Sequence, residues 1–207
     1  MQYATLAATY ELLGSTSKRL EKTDVVAALL AKTSDDDLEM ITLLLQGKVF
    51  PVHDDRKIGI ASKLVVKALS TATGLTQDQI MQEWKTIGDL GKVAEKICQK
   101  KIQATLFSTK LTVEKVFKNI QKLSTIEGKG SVDIKLKTIS ELLSSAEPLE
   151  AKFLTRTLLE DLRIGVGDGV LRDAICSAFF PKKKENIEED REEYKRVLNL
   201  VEQAFEI

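Results

Sequence analysis

A chain of 207 residues with 43% hydrophobic side chains carries enough apolar material for one large domain or two small packed ones without covalent staples. Cys98 and Cys176 are far apart and in no C-x-x-C spacing, and His53 is the only histidine. A disulfide framework, a His-rich metal site and an H-E-x-x-H hydrolase are thereby excluded. The first residues form no basic leader, and no stretch nears the ~20 apolar residues of a membrane span; an intracellular, soluble protein with reduced, buried cysteines is expected.

Formal net charge is zero, but it is unevenly spread. Residues 185–207 hold eight acidic against three basic side chains, which leaves 28 basic and 23 acidic residues before them. That excess permits a nucleic-acid partner without demonstrating one.

Apolar residues recur at helical spacing almost throughout, and no run alternates with period two long enough to define a strand. An all-α fold of about 10–12 helices follows. In chain order the pattern predicts helices at 2–13, 23–32, 35–46, 60–72, 76–85, 88–100, 112–124, 131–144, 148–162, 168–180 and 187–206. Gly14, Gly47 and Gly74 read as stops. Ser34 before Asp35-Asp36-Asp37 reads as an N-cap with a favourable acidic first turn, better explained so than as a metal site. Thr76-x-x-Gln79 is a capping-box pattern, and Pro148 suits a first helical turn. Pro181-Lys182-Lys183-Lys184-Glu185 reads as a hinge, dividing a helical domain (1–184) from an acidic helix or linker (185–207). Trp84 and the phenylalanines fall at core spacing and offer no platform for stacking bases.

The chain compared with itself at an offset of 106 residues shows an internal repeat. Asp55–Leu69 lies over Asp161–Ile175, with Asp55/Asp161, Ile58/Ile164, Gly59/Gly165 and Ala68/Ala174 identical and Lys57/Arg163, Ile60/Val166 and Leu64/Val170 alike in kind. Each copy reads as a basic residue, an apolar residue, a glycine, a small-residue turn and a helix start. A helix N-terminus presents unpaired N–H groups and partial positive charge, and small residues before it let a phosphate approach the backbone. The candidate contacts are Lys57, Gly59, Ile60, Ala61, Ser62 and Lys63 in the first copy, and Arg163, Gly165, Val166, Gly167, Asp168, Gly169 and Arg172 in the second. The alternative is that the glycines serve packing alone. Gly165-Val166-Gly167-Asp168-Gly169 has neither G-x-G-x-x-G spacing nor a following Gly-Lys-Ser/Thr, so it is no nucleotide loop. Gln103-Ala104-Thr105-Leu106-Phe107 is a short plug with two uses: entering a partner's apolar pocket, or pinning a loop to the chain's own core.

Asp133–Ile175, with Glu147-Pro148-Leu149-Glu150-Ala151-Lys152-Phe153-Leu154-Thr155-Arg156 and the second glycine turn, resembles the N-terminal DNA-binding domain of archaeal and eukaryotic ATP-dependent DNA ligases. Gln46-Gly47-Lys48, Ile58-Gly59-Ile60 and Thr86–Glu95 match other parts of that domain in order, and the length and the clamp-like peptide look archaeal. The resemblance implies a helical domain with pseudo-two-fold symmetry, probing no sequence, that binds the minor groove on both sides of a nick in double-stranded DNA. It implies service to nick joining in replication, repair and recombination. It makes the two glycine turns the expected backbone contacts and adds Thr16, Ser17, Lys18 and Arg19, with Gly128–Ser131 as a weaker site. It also points to the sliding clamp as a partner of Gln103, Leu106 and Phe107, although the usual second aromatic is missing; the alternative function is then a protein-interaction scaffold acting mainly through that peptide, and in either case a monomer is expected. Covalent nucleotidyl transfer needs a Lys-x-Asp-Gly lysine. Here the single Asp-Gly, Asp168-Gly169, follows Val166 at the lysine position. The fragment, ending at Ile207, is therefore expected to form no enzyme–AMP and to need no cofactor, ATP and Mg²⁺ belonging to the full-length enzyme.

Overall fold

Local chemistry starts and stops these helices. At Thr76 the reciprocal box forms: the Gln79 amide donates to Thr76 Oγ1 at 3.3 Å, and the Thr76 amide donates to Gln79 Oε1 at 2.9 Å. A second box joins Glu147 and Glu150, with Pro148 at the first helical position. Asp89 and Thr112 accept the Lys92 and Lys115 amides, each at 3.1 Å. Such caps satisfy first-turn donors that have no partner inside the helix. Ser34 stands at the expected N-cap position, but its hydroxyl donates to Asp37 Oδ2 at 3.2 Å instead of accepting an amide.

The computed structural model describes residues 1–99, 110–180 and 187–205. Among them are eleven helices: α1 (Tyr3–Ser15), α2 (Arg19–Leu30), α3 (Asp35–Leu45), α4 (Ser62–Thr73), α5 (Gln77–Ile87), α6 (Leu90–Cys98), α7 (Val113–Thr125), α8 (Ser131–Ser145), α9 (Pro148–Leu158), α10 (Asp168–Phe179) and α11 (Ile187–Phe205). One isolated bridge, Gln2 to Thr112, is the only β pairing among the described residues. The all-α expectation holds, and both cysteines are free and buried.

Most boundaries fall within two residues of the sequence pattern, and the start of α2 and the end of α9 depart from it by four. α1 continues through Gly14 to Ser15. α2 begins at Arg19, not at 23, because its charged first turn is held by tertiary contacts of Arg19 and Lys22. α9 stops at Leu158, not at 162. Glu160 there takes a left-handed φ of +55°, with Asp161 N donating to Arg156 O at 2.9 Å and Glu160 N to Thr157 O at 3.0 Å. This is a Schellman ending with glutamate where glycine is usual.

The chain divides into two units. The first comprises Met1–Ala8 and Gly47–Arg163. In it α6 packs on α9 and α4 on α8, burying Val93, Ile97, Phe153 and Leu154, and Val65, Leu69, Ile139 and Leu143. Gly91 makes the α6–α9 approach possible: a Cβ there would lie 2.7 Å from Arg156 Cγ and 2.8 Å from Lys152 O. The second unit comprises Thr9–Gln46 and Ile164–Ile207. Its α10 packs on α2 and α11, with Val26, Leu30, Leu171, Ala174 and Val197 buried. The Tyr10 hydroxyl donates to Leu44 O at 2.9 Å.

Candidate nucleic-acid interface

The 106-residue repeat is a repeat of backbone geometry. In the first copy Gly59 has φ +62° and α4 starts at Ser62; in the second, Gly165 has φ +64° and α10 starts at Asp168. Leu64 and Val65 donate to Ala61 O at 2.9 and 3.4 Å, and Val170 and Leu171 donate to Gly167 O at 3.0 and 3.1 Å. The N-cap residues, Ala61 and Gly167, have no side chain able to accept an amide. The backbone N–H groups of Gly59, Ile60, Ala61, Ser62 and Lys63 find no acceptor among the described residues, nor do those of Gly165, Val166, Gly167, Asp168 and Gly169. Each turn hangs from a buried isoleucine, Ile58 or Ile164. A row of unpaired amides at the positive end of a helix is a seat for an anion.

What each candidate residue offers differs. The Ile60 side chain is buried and that of Val166 half-buried, so these two present chiefly backbone. Lys57 and Lys63 are exposed and make no ion pair among the described residues. Arg163, with φ +57°, is held by Asp161 at 2.6 Å and Asp89 at 3.4 Å. The Asp161 hydrogen bond pushes its guanidinium further above its ordinary pKa. Arg19 pairs with Asp173 at 2.7 Å, and Arg172 with Glu202 of α11. Thr16 donates to Glu21 Oε2 at 2.5 Å and accepts from the Lys18 amide, while Lys18 Nζ lies 2.7 Å from Glu21. Ser17 is exposed beside them. Asp168 accepts from Gln46 Nε2 at 3.2 Å. Gly128 and Gly130 take φ values of +87° and +86° ahead of α8. Gln103, Leu106 and Phe107 lie outside the described residues.

Three supports were hidden in the sequence. Glu160 Oε1 accepts the Ile58 amide at 3.0 Å, bracing the first turn. The buried Lys22 ammonium donates to Ile164 O at 2.6 Å and Gly165 O at 3.1 Å, bracing the second. Arg156 donates to Asp89 at 2.7 Å inside the α6–α9 contact, where Asp89 also caps α6. No local pattern marks any of these, since each partner is remote in the chain. The glycines also differ: a Cβ on Gly59 would meet nothing closer than 3.8 Å, so conformation alone requires glycine there, whereas at Gly165 it would lie 2.4 Å from Lys22 Nζ.

Residues 2–176 match the sequence model of the family described as DNA ligase N terminus. The chain belongs to that family. It is 45% identical over 179 residues to a DNA ligase of Methanobrevibacter smithii, covering 86% of this chain and 32% of that protein. Identity is 42% over 177 residues with a DNA ligase of Methanothermobacter thermautotrophicus, again 86% and 32%. It is 38% over 184 residues with one of Nitrosopumilus maritimus, 89% and 31%. This DNA ligase N-terminal domain thus spans about a third of the length of the curated relatives it matches. Among its described residues no helix is long and apolar enough to cross a membrane, and no cluster of His, Cys, Asp and Glu could hold a metal ion.

Proposed function

We propose that this DNA ligase N-terminal domain is a non-catalytic module that grips nicked duplex DNA by its phosphates, independently of sequence, and so supports nick joining by an ATP-dependent ligase in replication and repair. The pair of uncapped glycine turns carries the proposal, because each leaves a row of amides without an acceptor among the described residues at a helix N-terminus. Duplex recognition through phosphates needs no base-stacking platform, and its affinity falls with salt as counterions are released. Fluorescence-anisotropy titration of a nicked duplex and a single strand of equal length tests this: the duplex is expected to bind more tightly, and a preference for the single strand would overturn it.

Two further outcomes follow. Val166 stands where a Lys-x-Asp-Gly motif needs its nucleophile, and Asp168-Gly169 opens α10; incubation with radiolabelled ATP is expected to leave the chain unlabelled, and a covalent adduct would contradict a non-catalytic role. Glu202 occupies the Arg172 guanidinium, which a phosphate would have to win from it. Glu202→Gln is expected to tighten duplex binding about threefold at low salt, on the scale of one surface charge pair, whereas Glu192→Gln on the exposed side of α11 leaves it within error. Equal effects of the two substitutions would reduce the pair to net charge.

A further inference from the structure

Beneath the second glycine turn lies a lysine that the general account of helix N-termini does not use. Lys22 is a 9%-exposed residue of α2, and among the described residues its ammonium bonds only to carbonyls, Ile164 O at 2.6 Å and Gly165 O at 3.1 Å. No carboxylate pairs with it among the described residues. A buried charge without a counter-charge is costly, and an arrangement that retains one calls for an anion close by.

The peptide geometry says where. In a trans peptide the C=O and the following N–H point in opposite directions. With the Ile164 and Gly165 carbonyls turned inward onto Lys22, the Gly165 and Val166 N–H groups are turned away from it, at an exposed and a half-buried residue respectively. The missing side chain at Gly165 is what admits this arrangement, since a Cβ would stand 2.4 Å from Nζ. The first turn shares the left-handed glycine, though Lys57 lacks the positive φ of Arg163, and has the opposite brace, a Glu160 carboxylate on the Ile58 amide.

We propose that Lys22 is the positioning residue of the phosphate seat at the Gly165 turn. Its ammonium fixes the direction of two amides and supplies positive charge behind them that a docked phosphate balances. This inference rests on the duplex-binding function proposed above.

The test uses the full chain and a nicked duplex, with Lys22→Met set against wild type over a series of salt concentrations, and with thermal melts confirming that the variant folds. Lys22→Met is expected to weaken binding about tenfold and to reduce the slope of log affinity against log salt by about one, the signature of one lost phosphate contact. Binding within twofold of wild type, or weaker binding with an unchanged slope, overturns the inference. Should the variant fail to fold, ¹⁵N-labelled wild-type chain titrated with the same duplex decides: the Gly165 and Val166 amide protons are expected to shift downfield, and their staying unmoved overturns the proposal. If wild type itself does not bind the duplex, the proposed function falls; if wild type binds and only these outcomes fail, the role of Lys22 falls alone.

Discussion

Arg156→Met is expected to lower unfolding stability by about 3–5 kcal/mol, the range seen when one partner of a buried ion pair is removed, and to move the denaturant midpoint accordingly. The side chains of Arg156 and Asp89 are 10% and 8% exposed, and their closest approach is 2.7 Å. Arg156 Nη1 also reaches Leu162 O at 3.5 Å. Methionine would retain most of the apolar stem but leave the Asp89 carboxylate buried, with Arg163 at 3.4 Å as its remaining charged partner. Burial opposes ionisation of Asp89, but the Arg156 hydrogen bond, the Lys92 amide and the charges of Arg156 and Arg163 outweigh it, so the carboxyl sits below the usual carboxylate range. The sign follows: stability from this group is fully present above the ordinary carboxylate pKa and is lost as pH falls through the lowered folded-state value. Wild type should therefore lose stability on acidification where Arg156→Met, already lacking the pair, loses less. An unchanged midpoint at neutral pH would show the pair to be dispensable.

Gly165→Glu and Gly59→Glu should each weaken nicked-duplex binding by about tenfold or more at low salt, since each sets a carboxylate where a phosphate is to be neutralised. They differ in their cost to the fold. Both force a side chain into the left-handed region, at roughly 1–2 kcal/mol, but Gly165→Glu also drives into Lys22 Nζ. Gly59→Glu meets nothing closer than 3.8 Å, so lost binding there reports the turn and not misfolding. Gly74→Glu is the matched control: its φ is +78° with nothing within 4 Å, and it ends α4 rather than starting it. Its melting temperature should fall as that of Gly59→Glu does, while its duplex affinity should not. Equal loss of affinity in all three would assign the effect to strain.

Secondary structure was legible in the sequence because its signals are local. Thr76 and Gln79 are three residues apart and bond each other, and the periodicity that located all eleven helices needs only a few turns of chain. The 106-residue repeat located both glycine turns because matching φ, matching N-cap and matching first-turn bonds descend from matching residues. What stayed hidden depends on partners distant in sequence. Lys22 looks like any lysine on a helix face until Ile164 and Gly165 are brought to it. Glu160 sits within an apolar-periodic run whose pattern continues α9 to 162, whereas the fold gives it a left-handed backbone and a bond to Ile58. The electrostatics were likewise only half visible: sequence could count Arg19, Arg163 and Arg172 as free positive charge, whereas each is engaged by a carboxylate of its own unit.

The most direct measurement is the salt dependence of nicked-duplex affinity for wild type and for the Gly59→Glu/Gly165→Glu double variant. Wild type is expected to give a linear fall of log affinity with log salt, and the double variant weaker binding with a slope shallower by about two, one for each phosphate seat lost. Identical slopes and affinities for the two proteins, or a wild-type affinity indifferent to salt, would contradict phosphate binding at the glycine turns.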